Sequence, residues 1–184
     1  MNLQTHEVAS LIEGCKENKR ASQNKLFEKF GGYVMGVAQR YTNNEHEAKD
    51  IFLKSFERVF KNVEKFDPEK GNLKTWLKVI TIRVALNQIK SNKRFEFTDL
   101  EEIVEPESKD FFSEDIDMQY VATIVNNLKE PYGLIFNMVM DGYKHKEIGE
   151  NLKISAATSR SYYKRSRTMI KEKLSNLKID LIHG

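Results

Sequence analysis

Three cations near the C-terminus set the chemistry of this chain. Arg160, Lys164 and Arg167 recur at i, i+4 and i+7, and no Asp or Glu occurs between 156 and 171. At 100° per residue they share one helical face with Ala157, Ser161 and Arg165, while Thr158, Tyr162, Tyr163, Met169 and Ile170 take the other. A solvated amphipathic helix would carry charges of both signs, so a face of one sign suits a polyanion. Guanidinium, ammonium and hydroxyl groups on the N-terminal half of a helix can donate to base edges in a major groove and to the phosphates beside it. Recognition of nucleic acid is the chemistry these residues support. Catalysis is not: His6, His46, His145 and His183 are scattered, no two of them share a metal-ligand spacing with a carboxylate, and no glycine-rich phosphate loop follows a strand. No enzyme activity, metal or cofactor is expected.

The elements that must position this face read as a helix-turn-helix over 143–167, YKHKEIGENLKISAATSRSYYKRSR. Ile148 and Leu152 lie four apart with Gly149 between them, as a short helix crossing another closely would need, and Ser155 offers an N-cap for the second helix. Upstream, Val121, Ile124, Val125 and Leu128 form a helical stripe. Pro131 fits the first turn of a further helix carrying Leu134, Ile135, Met138 and Val139, which stops at Asp141-Gly142.

The N-terminal half repeats the helical period four times. Val8, Leu11, Ile12 and Cys15 mark a helix over 5–17; Leu26, Phe30, Val34, Val37 and Tyr41 mark one over 22–41, where Gly31, Gly32 and Gly36 are expected to permit a close crossing or a bend. Asn44 and Glu47 form a capping pair for the third, whose stripe is Ala48, Ile51, Phe52, Ser55, Phe56, Val59 and Val63. After the loop DPEKGN, Asn72 caps a fourth helix to about 91 with two apolar stripes: Leu73, Trp76, Leu77, Ile80 and Val84, and opposite them Val79, Ile82, Leu86 and Ile89. Such a helix is buried on two sides or meets a partner. Lys74 and Lys78 line one edge between the stripes, Arg83 and Lys90 the other, and Lys93 and Arg94 follow. Trp76 suits either the core or a stacking surface.

Charge distribution divides these helices into two groups. Residues 1–95 hold 18 basic and 11 acidic residues, 96–119 one against ten, and 120–184 eleven against six, within 184 residues and a net charge of +3. The acidic stretch carries Pro106 and no helical period, and reads as a flexible linker. The expected architecture is therefore all-α: two small helical domains, 1–95 and 119–184, joined by the acidic linker 96–118, with the helix-turn-helix in the second. The single Cys15 excludes an internal disulfide and reads as a buried thiol. Neither a membrane span nor a signal peptide is legible, and a cytoplasmic protein is expected.

The stretch 26–94, with AKDIF, FDPEKGNLKTWL and KSNKR in that order, resembles the first conserved domain of bacterial sigma factors. With a helix-turn-helix beyond a linker, the chain as a whole resembles the two-domain extracytoplasmic-function (ECF) group, over all but the linker and termini. The resemblance implies a factor that binds core RNA polymerase, directs it to promoters and helps to open the DNA. It implies that the recognition helix reads the minus-35 element through Ser155, Thr158, Arg160, Ser161 and Lys164, with Arg165 and Arg167 on phosphates. It assigns an unstacked minus-10 base to the loop 66–72 and the start of the fourth helix: Phe66, Asn72, Lys74, Trp76, Lys78, Arg83, Lys90, Lys93 and Arg94. The third helix, with Asp50, Leu53, Lys54, Phe56 and Glu57, would dock on the polymerase clamp. An anti-sigma factor is a further partner of the family, and the free protein would be monomeric.

Three departures from the family pattern stand out. The usual Asp-Leu-x-Gln-Glu-x-Phe becomes Asp50, Ile51, Phe52, Leu53, Lys54, Ser55, Phe56; Arg83 stands where asparagine is common; and Lys153 occupies the turn position that glycine usually holds. A reversed charge on a docking surface weakens binding to an unchanged partner. Two other readings compete: a free-standing helix-turn-helix regulator, which would be expected to dimerise on palindromic half-sites although no heptad seam is visible, and a decoy module that binds polymerase or an antagonist. The linker is either a solvated tether or a mimic of nucleic acid threading a basic channel of the polymerase.

Overall fold

The computed structural model describes residues 3–69, 71–91 and 118–183, with side chains over 7–69, 71–91 and 120–175. Lys93, Arg94 and the linker up to residue 117 lie outside these residues, and Met118, expected as the last linker residue, begins a helix. Every regular element described is helical, and the chain divides into two compact units, Met1–Asn92 and Lys93–Gly184.

The first unit contains α1 (Leu3–Lys16), α2 (Arg20–Gln39), α3 (Glu45–Asn62), a 3-10 turn (Val63–Lys65) and α4 (Leu73–Ser91). Asn44 starts α3 as its sequence position demands, Oδ1 accepting the His46 and Glu47 N–H groups at 2.9 and 3.2 Å. The reciprocal arm runs differently from a simple capping pair. Glu47 accepts the Thr42 hydroxyl at 2.7 Å, and Thr42 Oγ1 in turn accepts the Asn44 N–H at 3.1 Å. Asn72 caps α4 through the Lys74 N–H at 2.8 Å.

Helix α4 packs against both α2 and α3, which explains its two apolar stripes. Leu73, Leu77, Ile82, Val84, Ala85, Leu86 and Ile89 are all buried, and Thr81, also buried, satisfies its hydroxyl on the Leu77 carbonyl at 2.8 Å. One core collects Leu11, Ile12 and Cys15 of α1, Leu26, Phe30 and Val34 of α2, Phe56 and Val59 of α3 and Leu73 and Leu77 of α4. The glycines of α2 do not make the close crossing expected of them. A Cβ on Gly32 or Gly36 would meet nothing within 4 Å, and one on Gly31 only the Phe52 ring at 3.8 Å. The tight contact is instead between Gly14 of α1 and Ser22 of α2.

The second unit contains α5 (Met118–Asn126), α6 (Tyr132–Met140), α7 (His145–Leu152) and α8 (Ala156–His183). Pro131 sits just before α6 rather than in its first turn, its carbonyl accepting the Ile135 N–H at 3.0 Å. Gly142, at φ 93, ends α6: its N–H reaches the Val139 carbonyl (2.9 Å) and the Tyr143 N–H reaches that of Met138 (3.0 Å). Val121, Ile124, Val125, Leu128, Phe136 and Ile170 form the core. At 28 residues α8 far outruns the segment 155–167 expected of a recognition helix. It spans about 40 Å at 1.5 Å per residue, and its inner side packs on α5, α6 and α7.

Candidate nucleic-acid interface

Two short-range constraints fix the angle at which α8 leaves α7. The first is the turn. Gly149 lies so close to the returning chain that a Cβ there would stand 2.6 Å from the Ile154 carbonyl oxygen, and the Ile154 N–H closes the turn on the Gly149 carbonyl at 3.1 Å. Between them Lys153 takes the left-handed conformation, φ 60 and ψ 43, that the missing glycine would have taken freely. A side chain there costs of order 1 kcal/mol. The second constraint is polar. His145 Nδ1 and Ser159 Oγ lie 2.9 Å apart, joining the start of α7 to the first turn of α8, and the His145 ring packs on Tyr163 at 5.7 Å. Ser159, wholly buried, was not singled out by sequence, because serine at that spacing reads as surface.

Ser155 caps α8 as expected, Oγ accepting the Thr158 N–H at 2.9 Å and sharing a second hydrogen bond with the Thr158 hydroxyl at 2.8 Å. Arg160 is exposed, and Lys164, Arg165 and Arg167 are partly exposed beside Ala157. The Arg167 guanidinium lies 5.8 Å above the Tyr163 ring, and that ring stacks on Phe136 at 5.8 Å, so this cation is held against the body of the unit. Ser161 departs from the helical wheel, and Thr158, which the wheel set on the packing face, departs from the minus-35 role that the resemblance implied. They are only 4% and 7% exposed, because α8 packs against three helices and its buried arc is wider than one stripe. Neither hydroxyl is presented to a ligand on the basic face.

In the first unit, Phe66 is equally misplaced as a surface residue: it is 4% exposed and packs on Trp76, ring centroids 5.1 Å apart. Trp76 is half-buried against the same core. Asn72 is exposed, but its carbonyl is spent on the α4 cap. Lys74 is exposed and lies 5.8 Å from the ring centroid of Tyr33 on α2, an aromatic residue the sequence pattern left as one more helix position. Lys78 is partly exposed; Arg83 and Lys90 are exposed. At 100° per residue the Lys74/Lys78 pair and the Arg83/Lys90 pair lie roughly 120–180° apart around α4, so these four cations do not form one stripe.

The α3 surface is self-neutralised. Lys54 pairs with Asp50 at 2.6 Å and approaches Gln88 of α4 at 3.4 Å; Lys49 pairs with Glu45 and Lys61 with Glu57. The Lys61 hydrogen bond, more than its charge alone, holds the Glu57 carboxyl below the usual range. Leu53 stands 61% exposed among these pairs. Phe56 does not join it: it is buried beneath an aromatic cluster with Phe27, Phe52 and Phe60, centroids 4.7–5.9 Å away. No group of three metal-ligating side chains occurs among the described residues, and no described helix is long and apolar enough to cross a membrane.

Comparison with known proteins meets these two units separately. Sigma-70 region 2 matches residues 26–95 and sigma-70 region 4 matches residues 118–170. The ECF RNA polymerase sigma factor SigE of Mycolicibacterium smegmatis is 24% identical over 163 residues, covering 84% of this chain; the chain spans 62% of the length of that relative. Among solved structures, CnrH in complex with the cytosolic domain of CnrY aligns over 90% of this chain and 96% of its own, at 13% identity and a TM-score of 0.46. The sigma factor RpoE in complex with the anti-sigma factor NepR, from Bartonella quintana, aligns over 83% and 96%, at 15% identity and a TM-score of 0.45.

Proposed function

The chain belongs to the sigma-70 family, in its extracytoplasmic-function group, and from that premise we propose that it binds core RNA polymerase, recognises the minus-35 and minus-10 promoter elements and assists DNA opening. The division of labour follows the domains: 1–95 for the polymerase clamp and the minus-10 element, 119–184 for the minus-35 element, and 96–118 between them. The observation that carries the reading is the α8 surface, where Arg160 and Lys164 project from a helix whose entry angle is fixed by the Gly149 turn and the His145–Ser159 bond. Arg160 and Lys164 read base edges, each good bidentate pair supplying roughly 1–3 kcal/mol of discrimination. Arg165 and Arg167 hold phosphates and make binding salt-sensitive.

On the first domain, Lys74 and Lys78 attract the melted strand, and Trp76 offers a partly exposed aromatic face to an unstacked base. Stacking and neutralisation together offset the few kcal/mol that unpairing costs. A second reading, a module that engages polymerase or an antagonist without initiating, is favoured by the Asp50–Lys54 pair, which removes a charge the family usually presents. Reconstitution with core polymerase of the same organism separates the two. Promoter-dependent transcripts with thymine reactivity in the opened region are expected; polymerase binding without either would leave the decoy reading, and tight duplex binding with no polymerase association would leave the free-standing regulator.

A further inference from the structure

We infer that Lys153, in the turn between α7 and α8, makes a phosphate contact to duplex DNA, and that its strained backbone is retained for that contact. The inference rests on the reading of α7, the turn and α8 as a duplex reader, and goes beyond it by adding a residue off the recognition helix.

The turn requires the left-handed conformation but does not require a lysine. Its geometry is set by the approach of Gly149 to the Ile154 carbonyl and by the Ile154 N–H bond to Gly149. Any residue at 153 must accept φ 60 and ψ 43; glycine would do so without strain. No ion pair among the described residues offsets that strain. Lys153 is exposed, and no described carboxylate lies within ion-pairing distance of its ammonium. Strain kept at an exposed position without a compensating contact points to a contact made only in a complex.

Position and chemistry name the partner. Lys153 lies two residues before the Ser155 cap of α8 and on the same turn as the entry to the helix that carries Arg160. Lys144 and Lys146, at the start of α7, are likewise exposed and without an ion-pair partner among the described residues. A lysine ammonium is a compact charge on a flexible stem, suited to a phosphate oxygen rather than to the planar edge of a base.

The test uses the full chain and a duplex of about two helical turns, titrated between roughly 50 and 200 mM salt, with K153G, K153Q and K153R. Losing one phosphate contact lowers the slope of log affinity against log salt by about 0.9, so the affinity lost across that range shrinks by about 3.5-fold. K153Q and K153G should both show this change and K153R should not. K153Q keeps the strain and K153G removes it, so a change shared by both cannot come from the stability of the turn. Wild-type slopes in both variants would overturn the contact while leaving the duplex reading intact. A wild-type chain with no salt-dependent binding to promoter duplex, alone or with core polymerase, would overturn the duplex reading itself, and the contact with it.

Discussion

Gly149→Ala tests the geometry of the turn most directly. The added Cβ would lie 2.6 Å from the Ile154 carbonyl oxygen and 3.5 Å from the Ala156 nitrogen. The nearest atom belongs to the main chain, so no side-chain rotation relieves the clash and the turn must open. Overpacking of this kind costs about 1–3 kcal/mol, and weakening the Ile154–Gly149 hydrogen bond about another 0.5–1.5. The better helix propensity of alanine returns about 1 kcal/mol, leaving a net loss of about 2 kcal/mol. For a unit of this size that is a fall of roughly 8–16 °C in Tm. The chain's one tryptophan, Trp76, lies in the first unit, so its fluorescence follows that unit alone while far-UV circular dichroism follows both. G149A should lower the dichroism transition of the second unit and leave the Trp76 transition in place. Gly36→Ala is the control: its Cβ meets nothing within 4 Å, and it should leave the second unit unmoved and stabilise the first by about 0.5–1 kcal/mol. A G149A protein melting at the wild-type temperature would refute the close approach.

On α8, R160A should weaken promoter binding and relax selectivity at one minus-35 position by about 1–3 kcal/mol, measured by competition between single-base variants. S161A should leave selectivity within experimental error, since the Ser161 hydroxyl is buried; a selectivity loss matching that of R160A would place Ser161 on the DNA. K54E breaks an exposed ion pair and sets an acid beside Asp50, so stability should change by less than about 1 kcal/mol, while affinity for the organism's own core polymerase should rise about tenfold, because the substitution restores the acid of the family's docking pattern; a weaker complex would show that the polymerase surface is matched to Lys54. Burial pushes the Cys15 thiol up, so alkylation should stay slow at pH values where an ordinary thiol reacts. Because ionisation then favours the unfolded chain, stability should fall as pH rises through and above the ordinary thiol range; rapid labelling of the native protein would contradict the buried α1 contact.

Much of the first unit was legible because its signals are local. Asn44 and Asn72 are read as caps from position alone, and both accept the expected N–H groups. The two stripes of α4 announced burial on two sides. In the second unit, Gly142 likewise ended α6 as a glycine at that place should. What failed was anything that depended on how wide a helix's contact is. Ser161 falls with the cations on a helical wheel, yet α8 is gripped by three neighbours and the serine goes inward. Phe66 and Phe56 sit in segments that the family resemblance assigns to ligands, but the aromatic clusters around them hold both in the core. Gly31, Gly32 and Gly36 looked like a crossing point, and only the path of the neighbouring helices reveals the open space above them.

By itself, the sequence determined the helical elements, their caps, the charge segregation and the basic face of α8, since each follows from residue periods and side-chain chemistry within a few positions of one another. Tertiary structure alone decided which of those residues remain available. It withdrew Ser161 and Phe66 from the surface, tied Asp50 to Lys54, and left Leu53 exposed. It also showed that the turn before α8 is shaped by Gly149 and borne by Lys153. Burial is a property of neighbours distant in sequence, and no periodicity within one helix specifies how many will pack against it.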